Sequence, residues 1–128
     1  MATNRLITEQ VRNTLANYPL YSQDGKKKDT VCNLIFHLGN IFWYITEGQT
    51  EGNDFTFFGI VTGLAETEYG YFSAAEMESI EYDATQHGLG KLKITQIEDF
   101  TPRQLGTIAD PRLQEFLSRL YDKKTEEQ

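Results

Sequence analysis

The sequence predicts an α+β fold: a mostly antiparallel sheet of about four to five strands, with N- and C-terminal helices. Three observations predict it. Apolar residues recur at helical spacing near both ends, Val11 and Leu15 at one, Leu113, Phe116, Leu117 and Leu120 at the other. Between them lie β-branched and aromatic runs punctuated by glycine turns. The order of elements lacks the alternating strand–helix units of a nucleotide-binding sheet.

Residues 6 to 17 read as the first helix, with Leu6, Ile7, Val11 and Leu15 on one stripe and Glu9, Arg12 and Asn13 outward. Pro19 disfavours helix at Tyr18, so the helix ends near Asn17. Residues 22 to 29, SQDGKKKD, combine a turn signal with a lysine run and read as an exposed loop. Residues 30 to 38, TVCNLIFHL, suit a strand, Gly39-Asn40 suits a two-residue turn, and residues 41 to 46, IFWYIT, suit the returning strand. Both strands are almost continuously apolar, as in a sheet covered on both faces. Residues 47 to 54, EGQTEGND, read as a Gly-rich acidic loop, and residues 55 to 64 as a long strand. Alternation puts Phe55, Phe57, Gly59 and Val61 on one face of that strand and Thr56, Phe58, Ile60 and Thr62 on the other. Gly59 and Gly63 suggest a bulge or a close backbone approach.

A short strand follows around Tyr69 to Phe72. Ser73 and Glu76 then form a capping-box pair, which starts a short helix ending near Ile80. Lys91 to Ile97 alternates as a half-exposed edge strand. Thr101-Pro102 reads as the start of one or two helical turns, and Asp110-Pro111 starts the last helix, where Glu115 and Arg119 pair four apart. The terminal helices are expected on one side of the sheet, and residues 122 to 128 as a frayed tail.

The length of 128 residues fits one domain spanning residues 1–128, able to bury about two-thirds of its unfolded surface without disulfides or metals. No apolar run approaches the ~20 residues of a membrane helix, and the N-terminus has no apolar signal core. The expectation is a cytoplasmic protein with no membrane contact. Cys32 sits in an apolar run and reads as a buried hydrophobe; His37, five residues on, falls on the opposite strand face. With two histidines and one cysteine, no metal-ligand spacing is present, and no cofactor is expected.

The net charge is −7, and its distribution is uneven. Between Asp29 and Gly90 there is no Lys or Arg, but there are ten carboxylates. Such a field repels phosphate and attracts basic surfaces, so the expected partner is a protein with a basic surface, not DNA or RNA. The candidate partner-binding residues are Glu47, Asp54, Glu66, Glu68, Glu76 and Glu78, with Tyr71 and the aromatic anchors Trp43 and Tyr44. Charged strand ends and core packing explain the same residues without any activity. A rival reading is a small-ligand or metal-binding enzyme using Glu47, Asp54 and Tyr71, with Glu47 and Asp54 brought together by a hairpin. Glu66 and Glu68 would lie about 33 Å from Asp54 along an extended strand, which argues against one four-carboxylate site. The chain contains no phosphate-cradling loop, no GxSxG, no HExxH and no CxxC.

Three strings carry a resemblance: WYITEG at 43 to 48, NDFTFFGIVTGLAETEYGYFS at 53 to 73, and AEMES at 75 to 79, preceded by PLYSQ at 19 to 23. Their pattern, through Trp43, Tyr44, Thr46, Glu47, Asp54, Phe57, Phe58, Gly59, Val61, Gly63, Glu68, Gly70, Tyr71, Phe72 and Ser73, resembles the bacterial domain-of-unknown-function family 2958. Ile41 and Phe42 stand where members often carry a second Trp, and the likeness covers roughly residues 6 to 100, weakening after residue 82. The resemblance implies a setting on plasmids, conjugative elements or phage-like islands. It implies no substrate or catalytic residue. Together with the charge pattern it leads to an expectation of a non-enzymatic inhibitor or accessory factor. Such a factor would dock on a basic, nucleic-acid-binding surface of a host defence protein.

Overall fold

The computed structural model describes residues 4–122. The first helix, α1 (Glu9–Leu15), begins later than expected because Thr8 caps it, its hydroxyl accepting from the Val11 amide at 3.1 Å. Leu6 is buried but lies in the turn before it. The run 30 to 38 is broken into β1 (Val31–Cys32) and β2 (Leu34–Leu38). Asn33, between them, turns its side-chain amide to the Thr46 carbonyl at 2.8 Å. β2 returns through Gly39-Asn40 into β3 (Ile41–Glu51), with Phe36 opposite Trp43.

The loop expected at 47 to 54 is not a loop. β3 runs on to Glu51 and β4 (Asp54–Thr62) starts after a two-residue turn, pairing Glu51 with Asp54 around Gly52-Asn53. Gly52 and Gly39 both adopt φ +61°, so the two Gly-Asn pairs make the same kind of tight turn. The polar composition of EGQTEGND hid a strand whose Glu47 and Gly48 are buried and whose exposure begins only toward Thr50 and Glu51.

β5 (Glu68–Ser73) completes the run, and α2 (Ala74–Ser79) follows under a Ser73 cap. β6 (Glu81–Asp83) pairs with β7 (Lys91–Lys93), and β8 (Thr95–Gln96) pairs with β2. The single edge strand expected at 91 to 97 is thus two short ones, hinged at the fully buried Ile94. Both are edge strands, β7 of the β6-β7 pair and β8 of the central sheet, and Lys91 and Lys93 stand exposed on β7 as expected, 3.6 Å from Glu81 and 3.9 Å from Glu78. The turn expected after Thr101 is also different: β9 (Arg103–Gln104) pairs with β1, and the Leu105 amide donates to Thr30. The last helix, α3 (Pro111–Tyr121), starts at the Asp110 cap as expected. Asp122 ends it and pairs with Lys28 at 2.6 Å, and residues 123–128 of the expected tail lie outside the described residues.

The central sheet is antiparallel, in the order β5-β4-β3-β2-β8. Its two faces bury two cores. Phe36, Trp43, Ile45, Phe55, Phe57 and Val61 pack under Val11 and Leu15 of α1 and Met77 of α2. Ile35, Tyr44 and Ile60 pack under Leu113, Phe116 and Leu117 of α3. The terminal helices therefore cover opposite faces, not one side. The near-continuous apolar runs of β2 and β3 follow from this double cover. No helix among the described residues is long and apolar enough to cross a membrane.

Candidate functional site

The site is built by one extra residue. Across β3 and β4, Ile45 faces Gly59 and Glu47 faces Phe58, so Thr46 bulges out of the register. Without the bulge Glu47 would continue the Trp43–Ile45 alternation into the α1 core. The bulge turns it to the α3 face beside Phe58. Gly59 permits the approach, since a Cβ there would stand 2.0 Å from the Tyr44 carbonyl oxygen. The close approach expected at Gly59 is thus observed. The Thr46 carbonyl, freed from the ladder, accepts from the side-chain amides of Gln23 at 3.0 Å and Asn33 at 2.8 Å.

Glu47 is only 3% exposed. Its two carboxylate oxygens accept the backbone N–H groups of Tyr21 at 2.7 Å and Gln23 at 3.0 Å. This straps residues 20 to 28 across the sheet. Gln49 accepts from Leu20 at 3.0 Å, and Gln23 exchanges bonds with Val31 at 2.8 and 2.9 Å. The stretch expected as an exposed loop is exposed at Ser22, at Asp24 to Lys27 and at Asp29, but it is tied down through Gln23, which is buried among polar partners. It holds two non-glycine residues in left-handed backbone, Tyr21 at φ +74° and Lys27 at φ +54°. Such residues need surroundings that over-determine them.

Beneath the strap lies a cleft of about 210 Å³, lined by Glu47, Phe58, Tyr69 and Tyr121, with Asp24 and Lys27 from the strap. Phe58 and Tyr69 stack at 5.4 Å with an 8° interplanar angle, and Tyr71 lies 4.9 Å from Phe58. The Tyr69 and Tyr121 hydroxyls share a hydrogen bond at 2.6 Å. Burial pushes the Tyr69 hydroxyl up from its ordinary value, with the Tyr121 hydroxyl and the Glu47 charge adding to it. The exposed Tyr71 is pushed up to about 12, chiefly by its Tyr21 neighbour.

The expected site residues separate. Trp43 and Tyr44 are not exposed anchors: at 6% and 3% exposure they belong to the two cores, because both faces of β3 are covered. Asp54 does not meet Glu47. Asp54 pairs with Glu51 and Glu47 with Phe58, four residues apart on β4, about 13 Å. Asp54 instead completes the α2 cap. The Ser73 hydroxyl donates to one carboxylate oxygen of Asp54, and the Ala75 amide donates to the other at 3.1 Å. That bond from Ser73 holds the Asp54 carboxyl below its ordinary range. The expected reciprocal bond from Glu76 is replaced by this arrangement. Glu78 pairs with Arg5 at 3.3 Å and approaches Lys93. Glu66, Glu68, Tyr71 and Glu76 are exposed along or beside β5. Cys32 is buried as expected, and burial pushes its thiol far up, away from nucleophilic use. Among the described residues no group of three or more His, Cys, Asp or Glu side chains is placed to hold a metal ion.

A family described as "Protein of unknown function (DUF2958)" has a sequence profile that matches residues 6–105. The chain belongs to this family. No curated protein and no solved structure matches it. The DUF2958 match spans α1, the whole central sheet, the bulge and the strap, and reaches past the residue 100 expected from sequence to the end of β9. Tyr121, the far wall of the cleft, lies beyond it. Sequence reasoning missed Gln23, Tyr69 and Tyr121 as parts of the site. The signal that leads to it is the second Gly-Asn pair, which extends β3 and requires a bulge to keep Trp43 and Ile45 on the α1 face of the sheet.

Proposed function

We propose that the protein acts by binding, without catalysis, docking through the β5 edge onto a basic surface of another protein. The observation that carries this reading is the edge itself. β5 is the outermost strand of the central sheet, and among the described residues no segment pairs with its far side. Alternate N–H and C=O groups there are free to accept a partner. Edge strands are ordinarily blunted by Lys, Pro or a bulge; Glu68–Ser73 contains none of these. Glu66 and Glu68 stand at its start and Glu76 just past its end, exposed and without ion pairs among the described residues. Tyr71, 54% exposed, stands between them as a contact residue. The sign of this edge favours a basic partner and disfavours direct nucleic-acid binding.

The finer part of the proposal is the setting. Carboxylates along a strand edge carry the charge of a phosphate backbone. A protein surface that ordinarily holds nucleic acid is a natural target for them. The setting on bacterial mobile elements that the resemblance implies favours a host defence protein as that target. The separation of Asp54 from Glu47, with Tyr71 near Glu47 across Phe58, favours binding over the enzyme reading that joins all three.

The test is capture from a bacterial lysate, with and without nuclease, read by mass spectrometry. The expected result is one stoichiometric partner that survives nuclease and is released at high salt. A triple variant, Glu66→Lys, Glu68→Lys and Glu76→Lys, is expected to lose it. Equal capture by the triple variant overturns docking through this edge, and an empty capture from a lysate that contains defence complexes overturns the binding reading.

A further inference from the structure

Glu47 lies at the cleft with a buried carboxylate and no cationic partner among the described residues. Each oxygen accepts one backbone N–H, while a carboxylate offers about four lone-pair directions. Capacity for further donors therefore remains. A buried anion held by amides alone is only partly compensated, and a cation would complete it. The walls suit one. Phe58 and Tyr69 lie parallel at 5.4 Å, with Tyr71 beyond, and aromatic faces attract cations. The Tyr69–Tyr121 hydroxyl pair adds oxygen acceptors. Of the other charged lining groups, Asp24 adds a second carboxylate, and Lys27 is the cation, with no ion pair to Glu47 among the described residues. At about 210 Å³ the cleft is far larger than a bare metal ion and takes a group of several heavy atoms.

We propose that this cleft binds an organic cation, an alkylguanidinium or alkylammonium group, with its charge on Glu47 and its alkyl stem against Phe58 and Tyr69. The group is carried either by a free small molecule or by an Arg or Lys side chain of a bound protein; the chemistry recognised is the same. The site uses the face of β5 and not its edge, so occupancy does not require docking at that edge.

The test is a ¹H–¹⁵N NMR titration of the full chain with n-butylguanidinium, against n-butylurea as a neutral analogue of similar shape. The Tyr21 and Gln23 amides are the reporters, because they donate to Glu47. Saturable shifts at both with the guanidinium, and none with the urea, are expected. Phe58→Leu, which leaves the Glu47 bonds in place, is expected to weaken binding about tenfold. Glu47→Gln is expected to abolish it; should that variant lose its fold along with the strap, Phe58→Leu alone carries the result. A doubly capped arginine peptide separates the two sources. Binding as tight as that of n-butylguanidinium assigns the site to a protein side chain, and exclusion of the peptide assigns it to a free cation. No saturable shift at tens of millimolar, equal shifts with n-butylurea, or full affinity in Phe58→Leu overturns the site.

Discussion

The Tyr44 hydroxyl donates to the Asp110 carboxylate at 2.6 Å, which joins the centre of the sheet to the cap of α3. Both residues are buried. The same carboxylate receives the Thr62 hydroxyl at 3.3 Å and the Arg112 amide at 2.9 Å. A single side chain therefore starts the last helix and fixes it against β3 and β4. Burial raises the Tyr44 hydroxyl, and the Asp110 charge raises it further. For Asp110 burial alone acts upward, but its donors outweigh burial and hold the carboxyl below its ordinary range.

Tyr44→Phe keeps the ring and removes this donor. A hydrogen bond to a charged group contributes about 1.5–3 kcal/mol. The expected outcome is a lower urea midpoint with an unchanged slope. A midpoint equal to that of the natural sequence would mean that water replaces the tyrosine and that the bond fixes geometry only.

The depressed Asp110 carboxyl makes stability depend on acid. Its folded pKa lies below the unfolded value of about 3.9. Its contribution is therefore fully present above that unfolded value and is lost as pH falls through the depressed folded value. In Asp110→Asn this part is missing at every pH. The gap between the two proteins is expected to be widest near neutrality and to close below about pH 4. Asp54, lowered by Ser73, keeps its own acid dependence in the variant. A gap that stays constant down to pH 2 would remove Asp110 from the acid response.

Gly59→Ala tests the crossing of β3 and β4. The new methyl would sit 2.0 Å from the Tyr44 carbonyl oxygen, a backbone atom that cannot turn aside. Gly59 is not in left-handed backbone, so the strain is steric alone. A loss of about 3 kcal/mol is expected, because the sheet must open at the bulge to accept it. Thermal unfolding of the variant measures this directly.

The parts of the fold that were legible in sequence are those set by local chemistry. The Gly39-Asn40 turn, the Asp110-Pro111 start and the two faces of β4 depend on neighbours in the chain, and each stands where it was expected. What was hidden depends on partners far along the chain. Gln23 is polar in a lysine-rich stretch, and its burial rests on Val31 and Thr46. The break at Ile94 interrupts an alternation that gives no sign of a change of partner strand. Glu47 looked like a strand-end charge, and became a buried strap holder only because of the bulge one residue before it.

The bulge itself yields the sharpest prediction. Deleting Thr46 removes the extra residue, so Ile45 opposite Gly59 and Glu47 opposite Phe58 become successive rungs of one regular ladder. Period-two alternation then keeps Ile45 on the α1 face and Glu47 on the α3 face. What the deletion removes is the Thr46 carbonyl, which accepts from the side-chain amides of Gln23 at 3.0 Å and Asn33 at 2.8 Å, and the Thr46 hydroxyl bond to Phe58. Two buried amides lose an acceptor, at about 1–3 kcal/mol each. The deletion is expected to unfold cooperatively, at a clearly lower urea midpoint. Thr46→Val is the control. It keeps the residue count and removes only the hydroxyl bond to the Phe58 carbonyl at 3.2 Å, worth about 1 kcal/mol. Amide exchange at Tyr21 and Gln23 reads the strap in both variants. Protection at both amides is expected to survive in Thr46→Val and, because Glu47 stays opposite Phe58, in the deletion as well. Loss of protection in the deletion alone would show that the strap depends on the Thr46 carbonyl and not only on Glu47.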